Sequence, residues 1–385
     1  MELSSYFKDF LTDIRLQAND RESLKNAHKD LRERLTNDEK LSGLIVNTFL
    51  QGSYRRSTAV RPVEEKHTDV DVVVVTKIDE SVSPDQAMEE FKPFLEEHYK
   101  DQWEKQGRSI GISIDSVDLD LVITSAPSEA DQEALKSASV SDDEELEEAP
   151  DLRFVPAWVG MSDRRSYSFT KSMLERAQEQ EEWKLSPLRI PDRDAAEWDD
   201  THPLEQIKWT RNKNASCNTH YINVVKAIKW WHRINANVPK YPKGYPLEHL
   251  IGVCCPDGID YIASGVTLTL ENIVSSYALD YANETVPAFR DHGVPEHNVW
   301  HRITAENFVA FYAEVQLAAQ IARRALDANS IRESALAWAE LFGAFFPPPP
   351  EDRSSSSGNG PSSSGRNGGF TPPPGPATPG RGRYA

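Results

Sequence analysis

Four consecutive valines, Val72 to Val75, headed by Asp69-Val70-Asp71, commit this stretch to a β-strand, because branched side chains pack well on a pleated surface. Side chains alternate along a strand, so Asp69 and Asp71 project to one side and Val70 and Val72 to the other. Two carboxylates therefore converge. Such an oxygen pair suits Mg²⁺, which takes one or two carboxylates plus substrate phosphates rather than a full protein cage. Just upstream, Gly52-Ser53-Tyr54-Arg55-Arg56 has the make-up of a phosphate-holding turn, since glycine permits close backbone approach and Ser53 and the arginines supply donors. Arg55 and Arg56 read equally well as surface charges.

Holding two metals needs a third acid, and Val117-Asp118-Leu119-Asp120-Leu121-Val122-Ile123 offers one on another apolar strand. Asp118 and Asp120 share a face. Asp120 is the first choice, because it directly precedes an apolar run as Asp71 does, and Asp118 is the alternative. An isolated Asp-x-Asp at a strand start is usually just a solvated strand end. The nearby Gly-Ser, the two arginines and the second acid-bearing strand about fifty residues on argue for an active site instead.

Composition narrows the field. A net charge of −18 and a pI near 5.1 argue against a broad basic surface for long nucleic acid. Part of the excess lies in the acidic run from Glu129 to Asp151, which reads as a solvated loop. Three cysteines, Cys217, Cys254 and Cys255, form neither a zinc spacing nor a disulfide framework. With no signal peptide and no apolar run of ~20 residues, the expected location is the cytoplasm, away from membranes. G-x-S-x-G, H-E-x-x-H and G-K-[ST] motifs are absent.

The expected fold class is α+β, with a mixed sheet, preceding helices, a C-terminal helical lobe and a disordered tail. Helical spacing of Leu3, Phe7, Phe10, Leu11 and Ile14, and then of Leu24, Ala27, Leu31 and Leu35, predicts two N-terminal helices broken at Asn19-Asp20. Strands are expected at 47–53, 70–77, 109–114 and 117–124, with one helix from Pro84 to Trp103. The region 150–198 reads as irregular around one helix near Phe169 to Trp183. Further helices are expected at 204–212, 218–234, 247–253, 267–281 and 305–346, the last broken near Asn329-Ser330. Domain limits follow as 1–165 for the core with its N-terminal helices, 166–346 for the helical lobe, and 347–385 for a Pro/Gly/Ser-rich tail that cannot offset the entropy of ordering.

Within the 218–234 helix, Lys226, Lys229 and Arg233 fall on one stripe while Ile222, Val225 and Ile228 occupy another face. By itself that stripe is a solvated surface. Trp230 and Trp231 read as core, because buried aromatic area dominates packing.

Gly52-Ser53 with Arg56 and Thr58, then Asp69-x-Asp71, then Asp120 together resemble the polymerase-β-type nucleotidyltransferase signature. More narrowly, the chain resembles the bacterial cGAS/DncV-like nucleotidyltransferases (CD-NTases), relatives of the oligoadenylate synthases. The wording around Gln51 to Arg56 and Asp120 to Pro127 is most similar to the clade that makes cyclic trinucleotides. The resemblance covers most of residues 40–250, and several expectations come with it. The fold is a nucleotidyltransferase sheet braced by its N-terminal helices and completed by the helical lobe. Asp69, Asp71 and Asp120 are the catalytic, metal-holding acids for two Mg²⁺ ions, with Mn²⁺ as a substitute. Gly52, Ser53, Arg56, Lys226 and Lys229 contact the triphosphate, and Tyr245, ahead of Leu247-Glu248, stacks the base.

The implied activity is synthesis of a purine cyclic di- or trinucleotide from ATP and another NTP, with pyrophosphate release, as an anti-phage alarm signal (CBASS) read by a downstream effector. The competing expectations are transfer to another acceptor, such as an RNA end, a protein or a small molecule, and a catalytically inactive nucleotide-binding scaffold. The resemblance also implies a ubiquitin-transferase-like partner that joins the C-terminal Ala385 to a target.

Overall fold

The computed structural model describes residues 1–63, 66–129, 187–193 and 195–350, and Met1–Pro349 forms one compact unit. The expected helix near Phe169 to Trp183, the 165/166 boundary, the acidic run beyond Glu129 and nearly all of the 347–385 tail, Ala385 included, lie outside the described residues.

Two helices open the chain, α1 (Ser4–Ile14) and α2 (Ala18–Asn37), separated three residues earlier than Asn19-Asp20 because Gln17 and Asp20 form a capping box that starts α2. Strand β1 (Ile45–Gln51) leads into the one-turn helix α3 (Gly52–Arg55), and β2 (Thr68–Thr76) follows. The single helix expected from Pro84 to Trp103 is instead α4 (Pro84–Glu89) and α5 (Lys92–His98), with Trp103 beginning β3 (Trp103–Lys105). Pro93 explains the break: lacking an N–H, it fits only the first turn of a helix and so begins a new one. Strands β4 (Ile110–Ile114) and β5 (Val117–Ile123) form the expected pair.

These five strands make one mixed sheet, ordered β1-β2-β5-β4-β3, in which β2 and β5 run parallel and the other neighbours antiparallel. Alternation divides its residues cleanly. Val70, Val72 and Val74 with Leu119 and Leu121 meet Leu24, Leu31 and Leu35 of α2 on one face. Val73, Val75, Val122 and Phe49 meet Leu188 and Ile190 on the other. Those last two belong to a hairpin, β6 (Leu188–Asp192) and β7 (Glu197–Thr201), in the stretch that reads as irregular in sequence. Pro191 inside β6 hides the strand pattern, yet a two-stranded sheet consists only of edges and tolerates it.

The helical part comprises α6 (Pro203–Ser216), α7 (Tyr221–Ile234), α8 (Tyr245–Cys254), α9 (Ile262–Ser276), α10 (Ala278–Ala282), α11 (Ala305–Asp327) and α12 (Ile331–Phe342). Left-handed Asn218 (φ 50°) and Thr219 (φ 66°) delay α7 beyond the start expected at 218. The 267–281 helix divides at Tyr277, and the break expected near Asn329-Ser330 is present, with the Ser330 hydroxyl accepting the Glu333 N–H at 3.2 Å. Trp230 and Trp231 are core, as expected. Of the two N-terminal helices, α2 braces the sheet. α1 joins the helical core instead, where Phe7 meets Trp338 edge-on at 4.9 Å and Phe10 stacks on Phe342 at 4.5 Å. Among the described residues no helix is long and apolar enough to cross a membrane.

Candidate active site

Parallel pairing of β2 with β5 sets Asp69 opposite Asp118 and Asp71 opposite Asp120, so all four carboxylates share the face that also carries Val73 and Val122. On the other side of β2, Gln51 opposes Asp71, and the chain then turns over that carboxylate at Gly52. Glycine is required there twice over. Its φ is +76°, and a Cβ would fall 1.7 Å from Asp71 Oδ2.

Burial pushes the Asp71 carboxyl up to about 7, with Asp120 and Asp69 adding repulsion and Arg56 opposing it. Asp120 is pushed up to about 6, first by burial and then by Asp69 and Asp118, with Ser109 and Lys243 acting the other way. Asp71 thus feels both Asp120 and Asp69, a repulsion that a cation relieves. Asp118 is differently placed: Ser113 Oγ donates to its Oδ1 at 2.7 Å, and His67 Nδ1 lies 3.0 Å from the same oxygen. Among the described residues no group of three or more His, Cys, Asp or Glu side chains is placed to hold a metal ion by itself. Mg²⁺ needs only one or two carboxylates beside substrate phosphates and water, and Asp69 and Asp71 are donors of that chemistry.

A cleft of about 1980 Å³ opens between this face and the helical part, lined by Gly52, Ser53, Asp69, Asp71, Lys229 and Tyr245 among others. Asp120 and Lys226 are set back from its wall, and Lys226 is buried. The basic stripe of α7 is no solvated surface. Lys229 Nζ donates to Glu248 Oε1 at 2.8 Å, and the Arg233 guanidinium donates to the Val60 carbonyl at 3.2 Å and to that of Arg61. Arg56 is likewise buried rather than a surface charge: its Nε donates to Glu248 Oε2 at 3.0 Å, and its guanidinium lies 5.2 Å from the Tyr245 ring centre. Tyr245 opens α8 and meets His249 edge-on.

Sequence reasoning missed three contributors to the cleft. Glu248, read only as a landmark after Tyr245, receives two cations. Lys243 lies close enough to lower Asp120, and its position one residue before Gly244-Tyr245 was the available signal. The β6–β7 hairpin supplies Asp199 and Asp200 to the wall, and no local pattern announced it.

Comparison with known proteins bears on the family and the fold. A family model for the Second Messenger Oligonucleotide or Dinucleotide Synthetase (SMODS) domain matches residues 1–129. The chain is 46% identical over 354 residues to the probable cyclic AMP-AMP-GMP nucleotide synthase of Salmonella paratyphi B, covering 90% of this chain and 92% of the relative. Identity and coverage are the same for the cyclic AMP-AMP-GMP synthase of Enterobacter hormaechei subsp. hoffmannii (strain UCI 50). Among solved structures, the Vibrio cholerae DncV cyclic AMP-GMP synthase in complex with a linear intermediate superposes with a TM-score of 0.59 at 13% identity, over 90% of this chain and 96% of that one, a likeness of fold. Kinship of that extent makes this chain a member of the cGAS/DncV-like nucleotidyltransferases, the CD-NTase family of cyclic-oligonucleotide synthases.

Proposed function

We propose that this enzyme joins ATP and GTP into a cyclic trinucleotide, cyclic AMP-AMP-GMP, as an alarm signal in anti-phage defence. The observation that carries the reading is 46% identity over 354 residues to synthases named for that product. A cleft of about 1980 Å³ supports it, because a drug-sized ligand needs only about 300–1,000 Å³ and this space can hold more than one nucleotide.

The reaction is attack of a ribose hydroxyl of one nucleotide on the α-phosphate of another, with pyrophosphate leaving in line. Asp69, Asp71 and Asp120 are the residues that would hold two Mg²⁺ ions, and the chemistry such ions would supply is a lowered pKa for the attacking hydroxyl and neutralised charge on the leaving group. Asp118 lines the cleft and Asp120 does not, but Asp120 is favoured as the third acid because it stands opposite Asp71 in the β2–β5 register and its charge acts on that carboxyl. The Asp120 carboxylate would also take the hydroxyl proton. Gly52 lets the backbone approach the triphosphate, Ser53 and Arg56 bind it from the sheet side, and Lys229 binds it from the helical side. Lys226, three residues before Lys229 on α7, is buried and off the cleft wall, and would act on the triphosphate through its charge alone. Tyr245 stacks on a base.

Incubating purified protein with all four NTPs and Mg²⁺, and weighing the products by mass spectrometry, tests the reading. The expected product is a cyclic species of two AMP units and one GMP unit, with three pyrophosphates released per ring. A product of different base content would replace the substrate assignment. Label that appears only after an RNA, protein or small-molecule acceptor is added would overturn cyclisation altogether.

A further inference from the structure

We propose that Glu248 is a positioning residue for this reaction, holding Lys229 and Arg56 in the arrangement that receives a triphosphate. The inference rests on the nucleotide-pocket reading above and deepens it.

Glu248 is a buried carboxylate on α8, and both of its oxygens are used. Oε1 accepts from Lys229 Nζ on α7 at 2.8 Å, and Oε2 accepts from Arg56 Nε, just after α3, at 3.0 Å. Burial alone would raise its pKa, but Arg56 and Lys229 more than offset that and bring it down to about 2. It is therefore ionised throughout the working range. The helix carrying it is fixed in turn: Tyr221 on α7 donates its hydroxyl to the Glu248 carbonyl at 3.2 Å.

Charge counting shows why the carboxylate belongs here. One anion between two cations leaves the trio with a net charge of +1, near enough to Asp71 for both Arg56 and Glu248 to act on its carboxyl. Long basic side chains are costly to order, and a carboxylate that fixes two of them in advance removes that cost from nucleotide binding. Lysine has three N–H donors, so Nζ can bind a phosphate oxygen while keeping its bond to Glu248. Arg56, held by Nε, presents its remaining guanidinium beside the Tyr245 ring. One residue thus registers groups from the sheet end, α7 and α8 against one another.

A purely structural role would lower the folded fraction, reducing kcat and leaving KM and the coupling to Lys229 untouched. A positioning role acts through Lys229. The test is a double-mutant cycle on the full chain with Glu248→Gln, Lys229→Met and the pair, reading kcat and KM for ATP, the dissociation constant of Mg²⁺-ATP and the melting temperature. Glu248→Gln is expected to cut kcat/KM by about 100-fold, with a raised KM and weaker ATP binding. In the Lys229→Met background the same change should cost no more than about threefold. Independent, multiplying losses overturn the proposal, and so does Glu248→Gln with wild-type KM and ATP affinity. If Glu248→Gln does not fold, the cycle is repeated with Glu248→Asp, whose charge is kept on a shorter stem. The same non-additivity is expected there, and additivity again overturns the idea. Wild-type synthesis that requires Asp69 and Asp71, accompanied by an inert Glu248→Gln, would refute this role and leave the proposed function standing.

Discussion

At the scale of single residues, Gly52 and Asp71 form one device. The turn passes so close over the carboxylate that any side chain at 52 must displace it. Gly52→Ala is therefore expected to lower pyrophosphate release by roughly 100-fold through misplacement of a reacting group, while the melting temperature falls only a few degrees. Steady-state pyrophosphate assays beside thermal melts check this. The two candidates for the third acid separate in the same way. Asp120→Asn should abolish synthesis, whereas Asp118→Asn, which alters a carboxylate tied to Ser113 and His67, should keep most of it. Equal losses in both would remove the distinction. The Asp-x-Asp pairs and the Gly-Ser turn were legible in the sequence, because strand alternation and glycine chemistry are local properties. The partners of Arg56 and Lys229 were not: their shared carboxylate is 192 residues from one and 19 from the other.

At the scale of elements, the strands that bear the acids could be read because their apolar runs are short and bounded. The helices of the 203–346 region could be read from their period, with ends displaced by proline and by left-handed residues such as Asn218. The β6–β7 hairpin escaped because Pro191 and the acids of β7 mask its alternation, and only Leu188 and Ile190 reach the core. Packing of the helical elements also sets a pH dependence. Burial, followed by the neighbouring Arg233, pushes His232 down to about 4. His292, stacked between Trp209 at 3.8 Å and His249 at 4.1 Å, is pushed down to about 4 by burial and then by His249. Both are neutral when folded, whereas an unfolded histidine titrates near 6.5. Between those values the unfolded chain binds more protons, so this stability is complete above about pH 6.5 and is lost as pH falls towards 4. The raised Asp71 and Asp120 carboxyls act in the opposite sense over that interval, so the histidine contribution is read as a difference: relative to wild type, the His232→Asn, His292→Asn variant should lose less melting temperature as pH falls from about 6.5 to 4. A slope unchanged by the double substitution would show that other groups govern acid sensitivity.

At the scale of the whole molecule, the sheet part supplies Asp69, Asp71 and Arg56 to the cleft and the helical part supplies Lys229, Lys243 and Glu248, so the cleft lies where the two meet. Met1–Pro349 is compact by itself, so removing residues 351–385 should leave its melting temperature within about one degree of the full chain. A drop of several degrees would mean that the unit draws stability from beyond its boundary. The central claim, that the Asp69, Asp71 and Asp120 cluster drives nucleotidyl transfer, is tested most directly by one comparison. Purified wild-type protein and the Asp69→Asn, Asp71→Asn double variant are given the same NTPs and Mg²⁺, and cyclic product is quantified by mass spectrometry with melting curves recorded in parallel. The account predicts product from the wild type and none above background from an equally folded double variant. Cyclic product from the double variant would contradict it.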